Sequence, residues 1–107
     1  MKAMIAAVLI STVTASSAIA ADKAYDCPQM DKMAESVMKA RQNGVPMAKM
    51  YEASVTDNSY TSRVFKMLID GAYKESAYSS PKYKEKAIVD FRDTIFQACL
   101  QQQEQKG

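Results

Sequence analysis

Two pairs of methionines three residues apart, Met30-x-x-Met33 and Met47-x-x-Met50, stand on consecutive segments of this chain. That spacing puts each pair on one face of a helix, and thioethers are soft ligands suited to Cu(I). Two such faces set together could offer three or four sulfurs to one ion, which defines an alternative reading of the chain as a Cu(I)-binding protein. The simpler reading is that these residues, with Met38 and Met67, fill irregular gaps in an apolar core or line an adaptable protein-binding groove. Each of them falls where a helical stripe needs an apolar residue.

A second group lies in the stretch AYKESAYSSPKYKEKAI. Here Tyr73, Tyr78 and Tyr83 alternate with Lys82, Lys84 and Lys86. Tyrosine supplies broad contact area with a polar tip, and lysine supplies positive charge, so these six residues form a candidate docking patch for a protein partner. The plainer alternative is a solvated lysine face with Tyr73 in the core and the other tyrosines over a helix joint. Glu75 and Glu85 dilute the charge, which argues against nucleic acid.

Catalysis finds little to work with. The chain has no histidine, so it lacks the usual general base near neutral pH and the commonest metal ligand. No serine stands in a nucleophile elbow or a Ser-x-x-Lys context, and no glycine-rich loop is present to cradle phosphate. Asp90 and Asp93, on adjacent turns, read as a solvated face. Neither an enzymatic activity nor a cofactor is expected.

Cys27 and Cys99 are the two cysteines of the 107 residues. The opening MKAMIAAVLISTVTASSAIAAD has the form of a secretory leader: Lys2, an apolar run over 3–10, then small residues ending at Ala18-Ile19-Ala20. Ser11, Thr12 and Thr14 break the run, so it makes a poor membrane span. The expectation is a leader over 1–21, cleaved after Ala20 or Ala21, and a mature chain released into the periplasm with no membrane span. In that compartment two cysteines pair, and a Cys27–Cys99 bridge would contribute about 4 kcal/mol by closing a long loop. Of 14 basic and 12 acidic residues only Lys2 lies in the leader, so the remainder is balanced 13 to 12 and calls for no polyanionic partner.

The elements that must hold these residues are helical. A first helix is predicted over 28–42, with Asp26 or Cys27 as cap, Pro28 in the first turn, an apolar face of Met30, Met33, Ala34, Val37 and Met38, and Asn43-Gly44 as the stop. A short second helix over 46–54 is expected to bury Met47, Met50 and Tyr51. After the turn-forming stretch TDNSYTSR, a third covers 60–75 with Val64, Phe65, Leu68, Ile69, Ala72 and Tyr73 inward. Gly71 within it suggests a close helix crossing. Ser80 caps a fourth helix, with Pro81 in its first turn, running to 101. Ile88, Phe91, Ile95 and Cys99 share one of its faces. Residues 102–107, lacking apolar periodicity, are expected to form a flexible polar tail.

The cysteine soon after the leader, ARQNG closing the first helix, AY then PKY, and AIVDF before the last cysteine resemble short, uncharacterised exported proteins of Gram-negative bacteria and their phages. The resemblance implies a helical fold and a periplasmic home, with no active site to carry over. In plan the chain is also similar to the acid-stress periplasmic chaperones, which are helical, exported and hold a single disulfide. The fold class expected is therefore all-α: one domain over 22–101, a bundle of about four helices stapled by one disulfide. Its expected role is non-catalytic binding of a protein or envelope component, as inhibitor, chaperone-like factor or accessory protein.

Overall fold

The computed structural model describes residues 24–106. The proposed leader, its cleavage point and Gly107 lie outside the described residues. Four helices follow one another: α1 (Cys27–Gln42), α2 (Met47–Ser54), α3 (Tyr60–Ala72) and α4 (Pro81–Lys106).

Local chemistry sets most of these boundaries. Asp26 is the cap of α1: its carboxylate accepts from the Gln29 N–H (2.9 Å), and Gln29 Oε1 accepts from the Asp26 N–H (3.0 Å), a reciprocal capping box. At the other end Gly44 takes φ +85°. Its N–H reaches the Arg41 carbonyl and the Val45 N–H reaches that of Ala40, the paired bonds of a Schellman turn. Ser59 caps α3 and Ser80 caps α4, each hydroxyl accepting an N–H three residues on at 3.2 Å. Before α3, the buried Ser62 hydroxyl donates to Asp57 (2.8 Å) and accepts the N–H groups of Thr56 and Asp57, which folds the turn.

Two boundaries differ from what periodicity implies. The chain leaves α3 at Ala72 rather than at 75, because Lys74 and Glu75 turn back onto Gly71 and Ala72 in three-residue steps. The freed carbonyls of Glu75 and Ser76 then accept from Arg41 (2.9 Å) and Gln42 (2.7 Å) of α1. At the other end, the segment expected as a flexible tail is helical: α4 continues through Lys106. Glutamine, glutamate and lysine are good helix formers, and no glycine or proline interrupts them before Gly107.

α1 is the central element. It packs most extensively on α4, antiparallel to it as the Cys27–Cys99 and Gln42–Lys84 links require. It packs also on α3, with the heads of the two helices together at Tyr25 and Tyr60 and their ends at Gln42 and Ser76, while α2 lies mainly against α3. The buried core joins Ala34, Val37 and Met38 of α1, Val64, Leu68, Ile69 and Ala72 of α3, and Ala87 and Ile88 of α4. Two links tie α1 to α4. Cys27 and Cys99 form a disulfide with Cα atoms 5.6 Å apart, joining the head of α1 to the late turns of α4. Seven residues earlier on α4, Arg92 makes a forked contact with Asp31 (3.0 and 2.8 Å) and a further bond to Glu35 (3.2 Å). No described helix is long and apolar enough to cross a membrane.

Candidate functional site

α3 and α4 flank α1 without closing over it. Between them the Phe91 ring reaches Gly71: a Cβ added there would stand 3.3 Å from Phe91 Cε1. The glycine thus makes room for a ring rather than for the close helix crossing expected of it, the two helices themselves not being closely packed. Above α1, between the two flanking helices, runs an open apolar groove. Its upper hollow, about 660 Å³, is floored by Met38 and walled by Met67, Gly71, Ala87, Phe91 and Ile95, with Tyr78 and Tyr83 at its end. A lower hollow of about 240 Å³ shares Met67 and Ile95 and continues past Met30, Tyr25, Tyr60, Ala98 and Cys99 to Gln102 and Gln103. From Tyr83 to Gln103 the groove follows α4 for twenty residues, about 30 Å at the helical rise.

This geometry qualifies the apolar stripe of α4. Ile88 is buried against α1, but Phe91, Ile95 and Cys99 are only half-buried, because the groove side of the stripe has no element over it. Met67, 49% exposed, stands at the meeting point of the two hollows and of a shallower one on the α2 side, which is lined by Met47, Tyr51 and Arg63. Five of the seven large apolar side chains exposed among the described residues lie on this surface: Met47, Tyr51, Met67, Tyr78 and Tyr83. A concentration of that kind marks an interaction surface more often than scattered apolar residues do.

The upper end is organised by Gln42, which sequence reasoning overlooks. Its side chain is buried, donates to the Ser76 carbonyl (2.7 Å) and accepts the Tyr78 N–H (2.9 Å). Its own carbonyl accepts from the Lys84 ammonium. These bonds fix the α3–α4 connection and hold Tyr78 beside Tyr83, ring centroids 6.1 Å apart. The Tyr78 hydroxyl donates to Glu75 (3.0 Å), and that carboxylate holds the phenol above its ordinary pKa. The Lys86 ammonium is likewise held above its usual value by its 2.6 Å pair with Asp90. The signal for Gln42 was its position four residues beyond Met38, on the inward side of α1.

The six residues of the predicted docking patch therefore divide. Tyr78, Tyr83 and Lys86 come together at the groove. Tyr73 does not join them: its hydroxyl donates to the Val45 carbonyl (2.6 Å), Arg41 stacks 5.1 Å over its ring, and burial raises its pKa. Lys84 is spent on the Gln42 carbonyl, and Lys82 is exposed outside the groove lining.

The methionine pairs divide too. Met30 lines the lower hollow and Met33 packs against the core. Met50 packs against the core from α2, whereas Met47 lies on the outer surface. Met47 and Tyr51, expected to be buried, are 42% and 37% exposed, because the short α2 turns only its Met50 side towards α3. Among the described residues, no group of three or more carboxylate or cysteine side chains is placed to hold a metal ion.

No family model matches the chain, and no match was found among curated proteins or solved structures.

Proposed function

We propose that this is a non-catalytic protein, exported to the periplasm, that binds another protein in the groove between α3 and α4. One observation carries the reading: an apolar channel about 30 Å long is left open along the fold, with Met67, Tyr78 and Tyr83 exposed beside it. A small domain that leaves this much apolar surface uncovered would gain by covering it, and the flexible thioethers of Met30 and Met67 suit an adaptable fit. Export is supported by the leader-like opening and by a disulfide of the kind that oxidising compartments preserve. The alternative of Cu(I) binding by Met30, Met33, Met47 and Met50 has less support, since Met30 and Met47 line different hollows.

The test is site-specific photo-crosslinking in the exporting cell. A photoreactive residue at Met67 or Tyr83 should yield a discrete crosslinked protein, and the same residue at Lys32, on the outer side of α1, should not. Ile95→Glu in the same molecule should abolish the product. Equal products at all three positions, or none at the groove, would refute the assignment.

A further inference from the structure

We propose that the lower half of the groove is redox-gated. The Cys27–Cys99 bridge holds the late turns of α4 in place as a wall of the lower hollow, so the full groove exists only in the oxidised protein. The proposal rests on the reading of the groove as a protein-binding site and adds what switches that site on and off.

The two ends of the groove are held by different means. At the upper end the ties are many. Ala87 and Ile88 of α4 belong to the buried core, Lys84 donates to the Gln42 carbonyl, and the Gln42 amide clasps Ser76 and Tyr78. Further along α4, Arg92 grips Asp31 and Glu35, and Phe91 and Ile95 pack against the core. Beyond Ile95 these ties stop. Among the described residues, no side-chain hydrogen bond or ion pair joins α4 after Arg92 to another helix, and no residue of α4 after Ile95 packs against the core cluster. Ala98, Leu100 and residues 101–104 are exposed. What holds this stretch is the disulfide: Cys27, buried at the head of α1, carries Cys99 with Cα atoms 5.6 Å apart.

That stretch is also the one that builds the lower hollow. Ala98, Cys99, Gln102 and Gln103 form its α4 side, facing Tyr25, Met30 and Tyr60. The facing side does not need the bridge. Tyr25 and Tyr60 stack with ring centroids 5.3 Å apart, the Tyr25 hydroxyl pairs with Thr61, and Met30 packs against the core. A helix end without tertiary contacts opens at little cost in free energy, whatever its intrinsic propensity. With both cysteines as thiols, α4 is anchored as far as Ile95 and its continuation is free to fray or to leave α1. The lower hollow then keeps one fixed side, while the upper hollow keeps all its ties.

Closing the gate is a two-electron oxidation. The Cys27 and Cys99 thiols give up two protons and two electrons and form the S–S bond. Both pass to a disulfide-bearing protein oxidant, which leaves as a dithiol. Opening is the reverse exchange, with a dithiol as reductant. Cys99 is half-buried and lines the lower hollow, which gives the exchange a route from the groove side. A chain whose thiols are still free, as before export, would carry the upper hollow without the lower one.

Backbone ¹⁵N relaxation at pH 7 tests this on the purified oxidised protein and on the same protein reduced by a phosphine. Order parameters over 96–100 should fall from about 0.85 to below about 0.6 on reduction, while those over 84–92 stay near the rigid value. Cys27→Ser with Cys99→Ser should show the reduced pattern with no reductant present. The second readout is photo-crosslinking in the exporting cell, from a photoreactive residue at Ala98 or at Tyr83. In the double variant the Ala98 product should fall several-fold relative to the Tyr83 product.

Unchanged order parameters over 96–100 would overturn the gate, since packing would then hold the late turns without the bridge. Loss of the folded spectrum along the whole chain would overturn it as well, by giving the bridge to the entire fold rather than to one half of the groove. An equal fall of the two crosslinked products has the same meaning. Crosslinks missing from the parent protein, with order parameters divided as expected, would instead remove the protein-binding reading and leave the gate standing.

Discussion

At the scale of single residues, the groove depends on a few polar groups doing positional work. Gln42 is one of the two buried polar residues among those described, and both ends of its amide are engaged by the α3–α4 connection. Gln42→Ala should cost about 1–3 kcal/mol in urea titration, because the Ser76 carbonyl and the Tyr78 N–H lose their partner in a part-buried site. The same variant should release Tyr78 from Tyr83, seen as loss of the ring-to-ring NMR contact. Gly44→Ala should cost about 1 kcal/mol, since an L side chain at φ +85° is strained although the space around it is open. Asp31 gives the pH dependence. The hydrogen bond from Arg92 lowers its carboxyl below the ordinary value of 3.8, while burial opposes this in part. A group depressed on folding stabilises fully above its unfolded pKa and loses that contribution as pH falls through the folded one. Asp31→Asn should therefore lower the melting temperature at pH 6–7, and the parent and variant curves should converge below about pH 4 as the native carboxylate takes up its proton.

At the scale of helices, what could be read from the chain was whatever a local rule governs. Asp26 or Cys27 before Pro28, Asn43-Gly44 and Ser80-Pro81 each mark a helix end within a residue, with Asp26 proving to be the first cap, because the chemistry of a cap is carried by residues within one turn of it. The inward stripe of α3 is correct for the same reason. Whether a stripe is covered is a different matter. The spacing of Phe91, Ile95 and Cys99 shows that they share a face, but it says nothing about whether a fourth element packs on that face, so residues that line a groove read as core. Met47 and Tyr51 fail in the same way on α2. Gln42 stayed hidden because a glutamine within an apolar stripe looks like a break in it, and its partners lie 34 and 36 residues away. The end of α4 was missed because periodicity reports burial, whereas intrinsic propensity alone sustains an exposed run of glutamines. That last turn and a half places Gln102 and Gln103 at the lower hollow. Truncation after Gln101 should change the unfolding free energy by less than about 0.5 kcal/mol in urea titration, since Gln102, Gln103 and Glu104 are exposed. It should nevertheless weaken the photo-crosslink formed from Met67, because Gln102 and Gln103 line the same hollow.

At the scale of the whole molecule, the question is what keeps α1 against α4 when one side of the bundle is left open. Ten buried apolar residues among those described make a small core, and a domain of this size is usually stable by only about 5 kcal/mol. Two ties between the same helices can be compared directly. The Arg92 contacts with Asp31 and Glu35 are partly exposed, so water and salt screen them. The Cys27–Cys99 bridge acts differently. It closes a sequence separation of 72 residues, and by narrowing the unfolded ensemble it should contribute about 4 kcal/mol in the chain-entropy account. Urea unfolding at pH 7 with and without a reductant separates the two effects. Reduction should lower the midpoint far more than Arg92→Met does, and it should steepen the dependence on urea, because the released chain exposes more surface when it unfolds. The double variant Cys27→Ser, Cys99→Ser should reproduce the reduced protein, with the Arg92 contacts still formed at neutral pH. A loss below about 1 kcal/mol, with an unchanged slope, would instead assign the cohesion of the bundle to the packing of α1 on α4. The open groove would then be a feature that this packing tolerates without a covalent tie.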